Sequence, residues 1–336
     1  MSLPVPARAG LDNPLAGIQY PVRAELDLVS SRMWEIVADE NPLIQDVNRH
    51  LRAMQGKLLR PALVLLANAV EDTRSTLAVD HAAVVELIHL ATLVHDDSVD
   101  HSVLRRGMPT VNAVFSHQVS VIMGDYLYSQ AVRHLVSTRD LESLVVISDA
   151  AKTMTMGELW QLSAVDSLQF SEEEYFQLNH AKTASLMSAA CEVGAICGAP
   201  SHRAALARFG DRLGMAFQVA DDLVDYVEGQ EITGKPSGAD LRERKVTLPL
   251  IAALRRMPSS GRREVERFFG NEAAVPVDAA ISRVIALVVE ADGIEYARRK
   301  GEQFAQEAEE SAQALPQTAA RAAMLELVGY VLDRRW

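Results

Sequence analysis

Cysteine is scarce: Cys191 and Cys197 are the only two in 336 residues, which leaves no disulfide framework, and with no CxxC spacing they offer no zinc site. They read as small buried apolar side chains in a reducing compartment. Aromatic residues make up only 5% of the chain while Ala, Leu and Val abound, a balance that fits helix against helix better than sheet. Positive charge is in deficit, 33 Lys and Arg against 45 Asp and Glu for a formal charge of −12, which argues against nucleic acid as a partner. No basic stretch followed by an apolar run opens the chain, so no signal peptide is expected. The longest apolar run is broken by Glu86 and His89 and falls short of the ~18 uncharged residues that a membrane span needs. No hairpin signal, solenoid period or low-complexity segment stands out. The expectation is one soluble, cytoplasmic domain over residues 1–336, with an irregular lead-in over 1–20 where Pro4, Pro6, Gly10, Pro14 and Gly17 crowd together.

What the chain does have is clustered acid. Residues 87–100 read LIHLATLVHDDSVD, and from Val84 onward the apolar side chains fall on every side of a helical wheel, the mark of a buried helix. It closes on carboxylates. Asp96 and Asp100 are four apart and stack on one face at about 100° per residue, with Asp97 beside them. Like charges so placed repel, and the usual compensation is a divalent cation or a dense set of Lys and Arg. The pattern recurs at residues 217–225, FQVADDLVD, where a second apolar helix closes on Asp221, Asp222 and Asp225. Two such ends facing each other form a cage of up to six carboxylates. Hard oxygen ligands suit Mg²⁺, which keeps several waters and shares a substrate's phosphate oxygens. The implied ligand is a diphosphate.

Cations punctuate the turns around these clusters. Lys57 and Arg60 sit in GKLLRP, just where an apolar helix over residues 61–70 begins, and they read either as a solvated pair or as a second phosphate site at a helix N-terminus. Arg105 and Arg106 follow the first cluster in a Gly/Pro loop; they either neutralise it or each grip a different diphosphate. Lys182 and Thr183 lie among Ala181, Ala184 and Leu186, which predicts partial burial, with a snorkelling surface lysine as the alternative. Lys235 and Lys245 flank the Gly/Pro loop after the second cluster. Periodicity predicts helices over 22–38, 121–135, 141–160 and 175–199, then helix from 249 to the end with a solvated acidic face over 302–310.

In order along the chain stand GKxxRP at 56–61, DDxxD at 96–100 with LRRG at 104–107, GDYL at 124–127, KTA at 182–184, FQxxDDxxD at 217–225 and GKPxGxDLxExKxTLP at 234–249. So ordered, the chain resembles the trans-isoprenyl diphosphate synthases of the polyprenyl synthetase family from about residue 21 to its end. The resemblance implies an all-α bundle around a central cavity, and a homodimer. It also implies residue roles: Lys57, Arg60, His89 and Arg106 for isopentenyl diphosphate, and Asp96, Asp97, Asp100, Asp221, Asp222 and Asp225 for Mg²⁺ around an allylic diphosphate. Arg105, Lys182, Thr183, Gln218, Lys235 and Lys245 correspond to residues that grip the allylic diphosphate. Gln55 departs from the glycine common among relatives, and Arg334 and Arg335 match the basic C-terminus that members often carry.

The chemistry so implied is a head-to-tail 1′-4 condensation. Breaking the allylic C–O bond makes a carbocation and a diphosphate, so Mg²⁺, Lys and Arg stabilise the leaving group while a dry apolar cavity keeps water off the cation. No base stands out in the sequence, so the departing diphosphate is the expected proton acceptor. Two rivals stay open: a class I terpene cyclase or head-to-head synthase, and a non-catalytic partner subunit. Product length is read just before the first cluster. Ala91 and Thr92 are small where short-chain synthases commonly place an aromatic ring, so the floor moves down to Ile88, Val84 and Met123. The expected product has six or more isoprene units, a short-chain product being the runner-up, with at most peripheral membrane contact for its release.

Overall fold

The computed structural model describes residues 14–54, 56–71, 74–164, 168–227, 238–270 and 277–333. Its helices are α1 (Pro14–Ile18), α2 (Arg23–Ile36), α3 (Pro42–Ala53), α4 (Leu59–Asn68), α5 (Leu77–Val99), α6 (Val111–Val114), α7 (His117–Ser137), α8 (Leu141–Ala164) and α9 (Glu172–Asn179). They continue as α10 (Ser185–Gly198), α11 (Arg203–Val227), α12 (Ala239–Arg242), α13 (Leu248–Leu254), α14 (Ser259–Phe269), α15 (Asp278–Glu290), α16 (Gly293–Gln313) and α17 (Ala319–Leu332). The all-α expectation holds. The irregular lead-in, however, stops short of residue 20: Pro14 opens α1, where a proline at a first helical position costs no hydrogen bond, and Leu15 and Ile18 are buried.

Contacts group the chain into two units, one of Met1–Ala151, Ala189–Ala207 and Gln313–Glu326, the other of Lys152–Ser188, Arg208–Ala312 and Leu327–Trp336. In the first, α5 is the central helix and packs on α2, α4 and α7. Ala82, Ala83, Val84, Val85, Leu87 and Ile88 are fully buried along it, and each of the Val, Leu and Ile side chains contributes about 1.5 to 3 kcal/mol. By length and composition α5 would cross a membrane, which the interruptions at Glu86 and His89 did not predict. Burial against its neighbours accounts for that composition. The surrounding helices start on side-chain caps, Asn41 accepting from the Leu43 amide at 2.9 Å before α3, and Ser116 from the Val119 amide at 3.1 Å before α7.

A hairpin between α5 and α6 is the only strand pair among the described residues. Strands β1 (Leu104–Arg105) and β2 (Met108–Pro109) pair antiparallel around Arg106 and Gly107, whose φ values of 52° and 76° make a left-handed two-residue turn. The sequence hid it, because the strands are two residues long and Arg stands where Asn or Asp would mark such a turn.

In the second unit, α9 opens on a reciprocal capping box between Ser171 and Glu174. The predicted helix over 175–199 forms, with a π turn at His180–Ala184 joining α9 to α10. Behind it, Leu250 and Leu254 of α13, Val265 and Phe269 of α14 and Ile281, Val284 and Leu287 of α15 share one apolar cluster with Tyr226 and Leu241.

Close approach of α10 to α4 depends on Gly194: a Cβ there would run into the Val64 carbonyl oxygen and lie 2.8 Å from the Ala67 Cβ. Gly194→Ala is therefore expected to destabilise the protein by about 1 to 3 kcal/mol, since the obstacle is backbone and cannot swing aside. Urea unfolding checks this, and an unchanged midpoint would mean the two helices part freely.

Candidate active site

Begin with the turn before α4. Gln19 donates to the Lys57 carbonyl at 2.8 Å, Leu58 adopts φ 52°, and the chain enters α4 with Arg60 in its first turn. A Cβ at Gly56 would sit 2.5 to 2.9 Å from the Arg106 guanidinium, so a larger residue would push aside that arginine, which reaches the Met54 carbonyl at 3.0 Å. The hairpin thus delivers Arg106 to the GKxxRP turn. Arg60 meets His89 of α5 at 3.0 Å, both half-buried. Burial, then Arg60, Arg106 and Arg105, hold the His89 imidazole well below its ordinary value, so it is neutral at physiological pH. Burial pushes the Glu86 carboxyl up while Arg60 and Arg106 pull it down.

These groups surround one cavity. Glu86, His89, Leu90, Leu93, Val94 and Asp97 of α5 line it, with Gly56, Arg105, Arg106, Val111 and the apolar Met33, Trp34, Leu51 and Met54. Lys57 is exposed at the turn and Arg60 lies behind His89; neither lines the cavity. Nor do Ile88, Ala91 and Thr92, which at about 100° per residue point away from it. Ile88 and Ala91 are buried, and the Thr92 hydroxyl donates to the His89 carbonyl at 2.8 Å.

At the end of α5 the three acids differ. Asp97 is buried and takes the Arg105 Nε on both carboxylate oxygens at 2.9 Å, Asp96 is half-buried and Asp100 is exposed. The Ser102 amide donates to the Asp97 carbonyl at 2.9 Å, and Thr110 and Asn112 donate to the Ser102 carbonyl at 2.7 and 2.9 Å, which ties the hairpin to the cluster. Of the two readings for the paired arginines, Arg105 neutralises an acid here and Arg106 faces the GKxxRP turn.

The second unit holds the other set. Asp222 of α11 is buried, accepting from the Tyr175 hydroxyl at 2.5 Å and from Gln218 Nε2 at 2.9 Å, while Thr183 donates to Gln218 Oε1 at 3.1 Å. Asp225 accepts the Ala239 and Asp240 amides at 2.8 and 3.0 Å, capping α12. Asp221 is exposed. Burial and then Asp240 push the Asp222 carboxyl far up; burial and then Asp225 push Asp240 up to about 7, against the pull of Lys245. Carboxyls raised by one another's charge mark a surplus of negative potential, which a divalent cation relieves, so the donor set fits Mg²⁺. Lys182 is half-buried as predicted, with Glu158 at 2.9 Å and Gln161 at 2.6 Å, and Lys245 pairs with Glu243 at 2.6 Å. Lys235, Arg334, Arg335 and Gln55 lie outside the described residues.

Four groups went unassigned in the sequence reading: Glu86, Tyr175, Asp240 and Glu158. Glu86 carried a signal, a carboxylate inside an apolar run, and Asp240 stands inside the motif after the second cluster. Nothing local marks Tyr175 or Glu158.

Helix-borne acid clusters with arginines and lysines beside them, on an all-α framework, define an isoprenoid-synthase type of protein. The sequence model described as Polyprenyl synthetase matches residues 41–284, and the chain belongs to that family of prenyl diphosphate synthases. It is 34% identical over 322 residues to an all-trans-nonaprenyl-diphosphate synthase (geranyl-diphosphate specific) of Rhodobacter capsulatus, covering 94% of this chain and 97% of that one. The crystal structure of a decaprenyl diphosphate synthase from Rhodobacter capsulatus superposes with a TM-score of 0.90 at 33% identity, covering 96% of this chain and 100% of the other. A polyprenyl synthase from Caulobacter crescentus, complexed with calcium and isoprenyl diphosphate, gives 0.88 at 31% identity, covering 98% and 100%.

The depressed His89 pKa yields a pH test. An unfolded imidazole takes up its proton near pH 6.5 whereas the folded one stays neutral, so stability is retained above that pH and lost as pH falls below it. His89→Gln is expected to flatten the acid limb of a urea-midpoint series taken from pH 8 to 5. Parallel wild-type and variant curves would show that His89 does not titrate apart from its unfolded form.

Proposed function

We propose that this chain is a Mg²⁺-dependent trans-prenyltransferase, which adds isopentenyl diphosphate head-to-tail to an allylic diphosphate and repeats the step to a polyprenyl diphosphate of six or more isoprene units. The observation that carries the reading is the cationic site around His89. Arg60, held by a neutral imidazole, and Arg106, beside an apolar cavity, suit a diphosphate with a short hydrocarbon tail, and this cavity reaches Asp97 of the first acid cluster, so a second substrate would lie next to the first. A cyclase, with a single substrate, has no use for it.

Asp96, Asp97 and Asp100 form one set of residues that would hold Mg²⁺, and Asp221, Asp222 and Asp225 form another; the metal would supply charge neutralisation for a departing diphosphate. The chain's own groups do the rest. Arg105 fixes Asp97, and Tyr175 and Gln218 fix Asp222, so the buried carboxylates keep one orientation. Lys182 and Thr183 sit on the π turn as cation and donor for the allylic diphosphate. Leu90, Leu93 and Val94 keep the cavity beside His89 apolar, which protects a carbocation from water. The long-chain reading is supported by the nonaprenyl and decaprenyl relatives and by the small side chains at Ala91 and Thr92, which face away from the His89 cavity, so that the tail would run along the other face of α5. Exposed Val121, Ile122 and Val136 on α7, with Leu141 and Val145 on α8, support a homodimer.

Purified protein with isopentenyl diphosphate, an allylic primer and Mg²⁺ is expected to yield elongated polyprenyl diphosphates, and Asp96→Ala or Asp221→Ala to lower turnover by several orders of magnitude with the fold retained. Cyclic hydrocarbon would favour the cyclase, and no product until another subunit is added would favour the partner reading. Length has its own test. One helical turn of about 5.4 Å matches roughly one extended isoprene unit, so Ala91→Phe is expected to shorten the product to about three or four units at a near-normal first condensation. An unchanged product distribution would remove Ala91 from the path of the tail.

A further inference from the structure

At the far end of α5 from the acid cluster lies a group of side chains with different chemistry. His81 is fully buried, and its Nδ1 stands 3.1 Å from the Cys197 sulfur, in the last turn of α10. On the opposite edge of the ring Nε2 has no hydrogen-bond partner and lies 3.5 Å from Oδ2 of Asp140, the residue just before α8. Asp140 is aimed by Ser143, whose amide and hydroxyl donate to its two oxygens at 3.1 and 2.7 Å. One ring nitrogen, the sulfur and one carboxylate oxygen lie within 4.8 Å of one another.

We propose that His81, Asp140 and Cys197 form a binding site for a borderline-soft divalent cation, Zn²⁺ before others, separate from the diphosphate chemistry. The donor set decides the metal. Imidazole, thiolate and carboxylate oxygen together suit Zn²⁺, whereas Mg²⁺ takes oxygen alone. Bonds of about 2.0 to 2.3 Å in a tetrahedron give ligand-to-ligand edges of roughly 3.5 Å. The sulfur is met by Nδ1 and the carboxylate by Nε2, so binding needs the imidazole to turn and present one nitrogen to both, and the three donors, already within 4.8 Å of one another, stand within reach of such side-chain rotation. A fourth position is left for water. The orphaned Nε2 is the second sign, because a buried ring nitrogen without a partner costs about 1 to 3 kcal/mol unless something satisfies it.

Burial keeps the imidazole neutral, its ligand form, and pushes the Cys197 thiol up to about 12. Without metal the sulfur therefore keeps its proton, which argues against a Cys-His-Asp nucleophile. Metal binding forms the S–metal bond and releases that proton to solvent. Ser143 then serves as the outer partner that orients the carboxylate. The site joins α5, the start of α8 and the end of α10. His81 and Asp96 are separated by 15 residues of one helix, about 22 Å, so the metal would not meet the acid cluster.

Co²⁺ is the probe, because thiolate coordination gives it a sulfur-to-metal charge-transfer absorption that carboxylate clusters cannot produce. Titration of the intact protein is expected to develop that band at about one equivalent per chain, to lose it on adding Zn²⁺, and to keep it in Cys191→Ser and in Asp96→Ala. Cys197→Ser is expected to abolish it. No band in the wild-type protein overturns the proposal without recourse to any variant, and so does a band that survives Cys197→Ser.

Discussion

Carboxylates at the ends of buried helices repel one another, and much of the site's architecture is compensation for that. Two unit charges about 4 Å apart cost roughly 4 kcal/mol at the effective dielectric of a protein edge, a large share of a domain's net stability. The structure meets the cost differently at each position. Asp97 takes Arg105, Asp222 takes a tyrosine and a glutamine, and Asp225 is spent on the amides that begin α12. The buried members are thereby fixed by the protein, while Asp100 and Asp221 remain at the surface, where a hydrated cation can reach them. An acid cluster of this kind is half scaffold and half ligand.

The same reasoning explains the neutral histidine. With Arg60 and Arg106 near it, a protonated His89 would add a third cation to the same small space. A neutral ring holds Arg60 by hydrogen bond without adding charge. Positive potential is thus left for an incoming anion rather than consumed within the protein.

What the sequence made legible was periodic or repeated. The apolar wheel of α5, the doubled DDxxD and the long helix expected over 175–199 and found over 172–198 follow from spacing, because a 3.6-residue period and a four-residue interval are local features of the chain. Contacts between distant segments did not show. Tyr175 reaches Asp222 across 47 residues and Cys197 reaches His81 across 116, and neither partner carries a local signature. The two cysteines look inert by their spacing, which carries no information about the histidine on another helix. The hairpin was missed for a smaller reason, that Arg106 accepts a left-handed backbone which sequence rules reserve for Asn, Asp or Gly.

The π turn shows why local departure from ideal helix matters to the site. Lys182 and Thr183 are adjacent, so their side chains point about 100° apart, and they must satisfy two different neighbours. Lys182 reaches Glu158 and Gln161 of α8, while Thr183 reaches Gln218 of α11, itself bonded to Asp222. Both residues sit on the widened π turn at His180–Ala184. The widened backbone needs room, and Gly214 gives it: a Cβ there would stand 2.6 Å from the Ala184 Cα. The hydrogen-bond chain from Thr183 to the buried acid, and the cation beside it, both rest on that irregular turn.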